Sequence, residues 1–229
     1  MNEIIAIEKK FYSNFVDYFI ETLKAFTITQ KELQKNITYS NFEIFEQIQS
    51  ENKNVIMMLG HIFNWEWFIG IAPILPFENK FAVFKPIKNK FWNKKIRYLR
   101  ERFSAKAISA KDIIMTMMRS ENKNDTIYFF VADQSPKKSN VHYYLNFLNQ
   151  KTPIFIGFDK VIRKKELGVV YCNIIKLKRG KYHIEFRRLL PKNKQFEEYE
   201  MAHLFFHELE NTIYKNPDNW LWSHKRWKY

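Results

Sequence analysis

VIMMLGHIFNWEW, residues 55–67, is the stretch that decides the fold. Its first five residues are apolar with no polar alternation, which suits a parallel strand covered on both faces. The run stops at Gly60, and His61, Asn64 and Glu66 follow among aromatic side chains. Ionisable groups at the end of a buried strand need a chemical or a structural reason. A second stretch repeats the pattern: DTIYFFVADQSP, 125–136, runs from an apolar strand into Asp133, Gln134 and a proline.

Outward from these strands the chain reads mostly as helices. Residues 3–26 have helical periodicity, with Ile4, Ile7, Phe11, Phe15, Tyr18 and Leu23 near one stripe and Lys9, Asn14, Asp17 and Glu21 largely off it. Residues 41–53 predict a second helix, 81–85 a strand, and NKFWNKKIRYLRERF at 89–103 a basic amphipathic helix. A further helix is expected over 110–120, with Ile113, Ile114, Met117 and Met118 at core spacing. Residues 152–166 predict a helix with Thr152 as N-cap and Pro153 at its first position. Residues 168–190 read as two strands joined through Lys178, Arg179 and Gly180, and 195–216 as a long helix ended near Pro217. Helices alternating with short apolar strands give an α/β fold with a mostly parallel central sheet flanked by helices. One domain over 1–229 is expected, helical over 1–53, with the α/β core over 54–229. Ligands of such sheets sit beyond the carboxyl ends of the strands, so His61 and Asp133 border one crevice if their strands are near neighbours.

Composition narrows the function. The chain has 229 residues, 46% hydrophobic and 17% aromatic, which argues against disorder and allows a full core. Its single cysteine, Cys172, lies in the apolar run LGVVYCNII and reads as a small core residue in a reducing compartment. No stretch reaches the roughly 18 apolar residues of a membrane span, and the first residues lack the basic n-region of a signal peptide. The formal charge of +14 calls for an acidic partner: nucleic acid, an anionic membrane, an acidic carrier protein or a phosphorylated ligand. A nucleic-acid-binding module is disfavoured, because no RNP motif, zinc finger or helix-turn-helix spacing is present. His203 and His207 have metal-capable spacing on a helix but no third ligand nearby in sequence, so no metal is expected.

His61 and Glu66 are five apart and would point about 140° apart on one helix. If His61 sits on the turn after the strand and Asn64 caps the next helix, Glu66 lies in its first turn and bends back to an imidazole nitrogen. A histidine held by a carboxylate is a general-base arrangement, and no serine or cysteine nucleophile lies near it in sequence. Direct deprotonation of a substrate hydroxyl is then the natural chemistry. By spacing alone, a core histidine beside a helix-terminal charge fits better.

Five blocks change that balance. GHIFNWEW; FKPIKNKFWNKKIRYLRERF; ADQSP; NFLNQKTPIFIGFDKVIRKK; and PDNWLWSHKRWK appear in that order. Together they resemble the blocks of the lipid A biosynthesis (lauroyl/myristoyl) acyltransferase family of Gram-negative bacteria, in its Bacteroidetes-like branch. Lys85 stands where many members have arginine, and Lys225 replaces the first arginine of the last block. Members usually open with a membrane-anchoring helix, which this chain is expected to lack. The resemblance implies a glycerolipid-acyltransferase-like domain that transfers an acyl chain from acyl carrier protein to a hydroxyl of a lipid A precursor. It places that work at the cytoplasmic face of the inner membrane, without metal or cofactor. His61 would be the base and Glu66 its partner. Asn64, Lys85, Arg100, Asp133 and Gln134 would bind substrate or hold the site together, with His224 and Arg226 as further members.

The physics of such substrates agrees with the composition. The segment 85–106 carries nine cationic residues against Glu101, suiting a phosphorylated lipid, an acidic carrier or an anionic membrane. Burying a dodecyl-sized tail gains roughly 8 kcal/mol at ~0.8 kcal/mol per CH₂. Trp65, Trp67, Phe68, Trp220, Trp222 and Trp227 suit a membrane surface as well as a core or site wall. A monomer is expected. Acylation of another lipid hydroxyl, amino-acid or phospholipid, is the alternative within the same class; a non-enzymatic membrane- or nucleic-acid-binding protein is the alternative outside it.

Overall fold

The computed structural model describes residues 2–121, 123–191 and 197–228. The chain runs through α1 (Asn2–Lys24), α2 (Gln30–Asn36), β1 (Ile37–Ser40) and α3 (Glu43–Ser50) before β2 (Val55–Leu59). A 3-10 helix at Trp67–Ile74 leads to β3 (Asn79–Phe84), α4 (Lys90–Glu101), β4 (Lys106–Ser109), α5 (Ile113–Arg119) and β5 (Thr126–Val131). A hairpin, β6 (Tyr143–Phe147) and β7 (Gln150–Ile154), precedes α6 (Gly157–Lys165), β8 (Gly168–Lys178), β9 (Lys181–Arg188) and α7 (Glu200–Lys215).

Seven strands form the central sheet in the order β1-β9-β8-β2-β5-β3-β4. The five from β8 to β4 are mutually parallel, whereas β9 returns antiparallel to β8, and β1 adds to the edge parallel to β9. The result is the mostly parallel α/β domain that the apolar runs predict. Every residue of β2 is buried, because strands flank it and helices cover both faces. The stretch 1–53 supplies three helices and also the edge strand β1, whose partner lies 145 residues on and leaves no local signal.

Two local expectations give way. Thr152 and Pro153 do not open a helix; they belong to β7, and the helix starts at Gly157. Leu148 and Asn149 both have positive φ (52° and 60°), the two-residue turn that matches strand twist and closes β6 onto β7. Pro153 is tolerated there because this two-stranded sheet is all edge. The helix expected from residue 195 starts at Glu200, and residues 195 and 196 lie outside the described ones.

α1 also departs from its stripe. Ile4 and Leu23 are 71% and 65% exposed, while Asp17 and Glu21 are 6% exposed. The buried acids are satisfied. Asp17 pairs with Lys176 Nζ (2.8 Å) and Arg179 Nε (2.8 Å). Glu21 accepts from the Tyr182 hydroxyl (2.6 Å), the Gly180 amide (3.1 Å) and the Asn64 side chain (3.0 Å). Burial of charge is tolerated because the β8–β9 hairpin delivers these donors.

Candidate active site

β2 and β5 are hydrogen-bonded neighbours in a register that pairs Leu59 with Val131. His61 and Asp133 each lie two residues beyond that pair, so the parallel sheet sets them side by side at its carboxyl edge. The His61 ring donates from Nδ1 to Asp133 Oδ1 in a short hydrogen bond. The His61 backbone amide donates to Asp133 Oδ2 (3.0 Å), as does the Trp220 indole Nε1–H (2.8 Å). Burial pushes the Asp133 carboxyl up, but the His61 charge, both His61 hydrogen bonds and the Trp220 indole outweigh it and hold the group at about 2.

The C-terminal segment locks this turn from the other side. Ile62 and Trp220 form an antiparallel bridge, Phe63 N–H donates to Asn219 O (3.0 Å), and Leu221 N–H donates to His61 O (3.1 Å). Trp220 therefore belongs to the site, although its place in an aromatic tail reads equally well as membrane contact. Trp65, Trp67, Phe68 and Trp220 are all buried, and of the six aromatics offered for a membrane surface Trp222 alone is exposed.

With Nδ1 donating to Asp133, His61 Nε2 carries the lone pair. It lies 3.1 Å from Gln134 Nε2, which donates to it. Gln134 and the His61 edge open into a cleft of about 450 Å³. Lys85, Arg100 and Lys137 line it with no acidic side chain among the lining residues, and Phe84, Phe130 and Phe155 supply apolar wall. Lys137 follows Gln134 by three residues on the same segment, a local signal that a reading centred on Asp133 and Gln134 passes over.

In this structure Glu66 is directed to Arg100 rather than to His61. Asp133 and Gln134 occupy the two ring nitrogens. Glu66 N–H donates to Asn64 Oδ1 (3.0 Å), and the turn so fixed aims the Glu66 carboxylate at Arg100 Nη2 (3.3 Å) and the Trp65 indole (3.1 Å). A cation supplied by α4 competes better for that carboxylate than a ring already held by another. Asn64 does not cap an α-helix, since the next helix is the 3-10 helix starting at Trp67; it is 2% exposed and tied to Glu21, behind the cleft rather than on it.

The remaining candidates separate in the same way. Lys85 and Arg100 are on the cleft wall. His224 Nε2 accepts the Ser135 amide (3.3 Å), and burial lowers its pKa. Arg226 is 1% exposed, donating to Pro153 O (2.7 Å) and Ser135 Oγ (3.2 Å). Burial lowers its pKa to about 10, so it stays charged, but as a strut behind the Asp133–Ser135 loop rather than on the cleft. His203 and His207 face Tyr143 (2.9 Å) and Asn211 (3.1 Å) on α7.

Chemically, a buried carboxylate fixes one imidazole tautomer and leaves the other nitrogen facing a basic, partly apolar cleft. That arrangement can take a proton from a hydroxyl and stabilise the resulting imidazolium. Comparison with curated proteins returned no match. The family model for bacterial lipid A biosynthesis acyltransferases matches residues 2–229, taking in the sheet, the cleft and every side chain named above, and the chain belongs to that family.

Proposed function

We propose that the chain moves a fatty acyl group from an acyl carrier protein thioester to a hydroxyl of a lipid A precursor, at the cytoplasmic face of the inner membrane. His61 acts as general base and Asp133 orients it. The observation that carries this reading is the geometry of the His61 ring: Nδ1 faces a buried carboxylate, and Nε2 lies 3.1 Å from the Gln134 amide nitrogen at the cleft. Nε2 takes the acceptor proton as the oxygen attacks the thioester carbonyl. A C–O bond forms, the tetrahedral intermediate collapses, the C–S bond breaks, and the imidazolium returns the proton to the departing thiolate. The Gln134 amide is the donor nearest this centre and supports the developing oxyanion.

Lys85, Arg100 and Lys137 suit the phosphates of the acceptor, and the net charge of +14 suits an acidic carrier protein. The test is a reaction of purified protein with acyl carrier protein thioester and a lipid A precursor, read by mass spectrometry. Product one acyl group heavier from wild type, and none from His61→Ala, is expected. Equal product from both would remove His61 as the base; transfer to another lipid hydroxyl alone would reassign the acceptor.

Trp220→Phe keeps an aromatic ring in the core but removes one donor to Asp133. A hydrogen bond to a charged group contributes roughly 1.5–3 kcal/mol, and part of it acts on the imidazolium. We expect kcat to fall about tenfold and the melting temperature to drop by several degrees, because the lost donor and the volume removed from a buried site both destabilise the fold. Steady-state kinetics with a thermal melt checks this, and unchanged kcat would make Trp220 packing alone.

A further inference from the structure

Of the sixteen large apolar side chains exposed among the described residues, seven lie on α1 and three on α4. On α1, Ile5, Tyr12, Val16, Phe19, Ile20 and Leu23 are 44–65% exposed. At 100° per residue they fall in a sector about 100° wide, opposite the face that buries Phe11, Asp17 and Glu21. Lys9 is the charged residue in that sector, while Glu3, Glu8, Asp17 and Glu21 all lie outside it. α1 thus buries a mixed face and leaves an apolar one exposed.

α4 continues this surface. Phe91, Trp92 and Tyr98 are 51–60% exposed among the exposed cations Lys90, Lys94, Lys95 and Arg97. The two helices meet at one end: the Tyr98 ring stacks on Phe26 just past α1 (centroids 6.4 Å apart), and Arg102 Nη2 donates to Ile28 O (2.8 Å). Ile96 and Arg100 of α4, with Ile87 before it, line the cleft of His61. Ile87, itself 41% exposed, is the exposed apolar side chain that also lines the cleft, just before α4 begins.

We propose that the outer face of α1 and the aromatic-basic face of α4 form one docking surface for an anionic lipid bilayer. α1 lies in the interface plane with Phe19, Ile20 and Leu23 among the acyl chains. α4 holds Phe91 and Trp92 at headgroup depth and sets Lys94 and Lys95 against lipid phosphates. The charge argues for this occupant over a second copy of the chain: the α1 sector carries Lys9 and no acid, and α4 sets Lys90, Lys94, Lys95 and Arg97 against Glu101 alone. Docked so, the cleft opens toward the surface, and a lipid acceptor presents its headgroup while its tails stay in the bilayer. The proposal deepens the membrane placement above, but its test needs neither acyl donor nor acceptor.

The measurement is co-sedimentation of full-length protein with vesicles of phosphatidylcholine, alone or mixed with phosphatidylglycerol. Wild type is expected to partition onto the mixed vesicles and to release as salt rises. Phe19→Asp with Ile20→Asp should lower partitioning at least about tenfold. Lys94→Glu with Lys95→Glu should lower it about fivefold or more per charge on mixed vesicles, and little on phosphatidylcholine alone. The substituted side chains are exposed, so melts should match wild type, and turnover of a detergent-dispersed acceptor should survive Phe19→Asp with Ile20→Asp. Unchanged partitioning of that variant overturns the surface. So does a wild-type dimer that the same variant splits into monomers, which would make a second copy the occupant. Vesicle binding without acyl transfer would sink the proposed reaction and leave the docking surface; turnover in micelles without vesicle binding would do the reverse.

Discussion

Asp133→Asn is expected to lower kcat about 10³–10⁴-fold in a protein that remains folded. The geometry says why. The His61 backbone amide and the Trp220 indole both donate to Oδ2, so the carboxamide oxygen must stay there to accept from them. That puts the amide NH₂ against His61 Nδ1, which must now accept. The proton moves to Nε2, and the nitrogen facing the cleft is no longer a base. His61→Ala should lose at least as much, and the double variant little more, because the two residues act as one unit. The carboxyl of Asp133 is held at about 2, against an ordinary 3.8, so it stays ionised throughout the working range and does not set the acid limb of a pH–rate profile. Stability has the matching sign. A depressed folded pKa stabilises fully above the ordinary value and loses that contribution as pH falls from about 4 toward 2. Wild type should therefore lose urea resistance across that window, and Asp133→Asn should lose less. A folded Asp133→Asn enzyme within tenfold of wild type would end the orienting role.

The pairing that matters most was half legible in the sequence. VIMML and IYFFV announce buried parallel strands, and their polar exits mark His61 and Asp133 as candidates for one crevice. That β2 and β5 are neighbours, and that Leu59 faces Val131, is a property of the sheet and has no local signature. With only local spacing available, Glu66 is the nearer carboxylate and wins by default; Arg100, which draws it away, comes from a helix 34 residues on. Thr152-Pro153 misleads for a similar reason. Its cap chemistry is good helix-start chemistry, and the hairpin turn at Leu148-Asn149 carries no glycine to announce it. In α1, a stripe count sees more apolar residues than one face can bury. It cannot know that Lys176, Tyr182 and Gly180 will arrive to solvate Asp17 and Glu21, and so it buries the wrong residues.

Those same contacts tie the helices to the chemistry. Glu21 of α1 holds the Asn64 amide, Asn64 Oδ1 takes the Glu66 amide, and the Glu66 carboxylate holds Arg100 of α4. A continuous chain of hydrogen bonds thus runs from one proposed docking helix, through the loop carrying His61, to the other. The position of Arg100 on the cleft wall depends on all of these links.

Arg100→Ala is accordingly expected to cost about 10²-fold in kcat/KM, mostly through KM for the acceptor. One guanidinium NH₂ is spent on Glu66 and Nε is buried, so the other NH₂ is the donor left for a ligand in the cleft that Arg100 lines. A phosphate there gains a charge-assisted contact from a guanidinium that Glu66 holds in place, which a flexible ammonium does not reproduce, and Arg100→Lys should recover less than half of the loss on a logarithmic scale. Glu66→Gln, which keeps the shape of the loop and leaves Arg100 charged, should be milder than either Arg100→Ala or Asp133→Asn. The discriminating measurement compares a phosphorylated acceptor with its dephosphorylated form. Wild type should favour the former, and Arg100→Ala should erase most of that preference. Equal impairment on both acceptors would show that Arg100 acts by holding Glu66 and the loop in place, not by holding the headgroup.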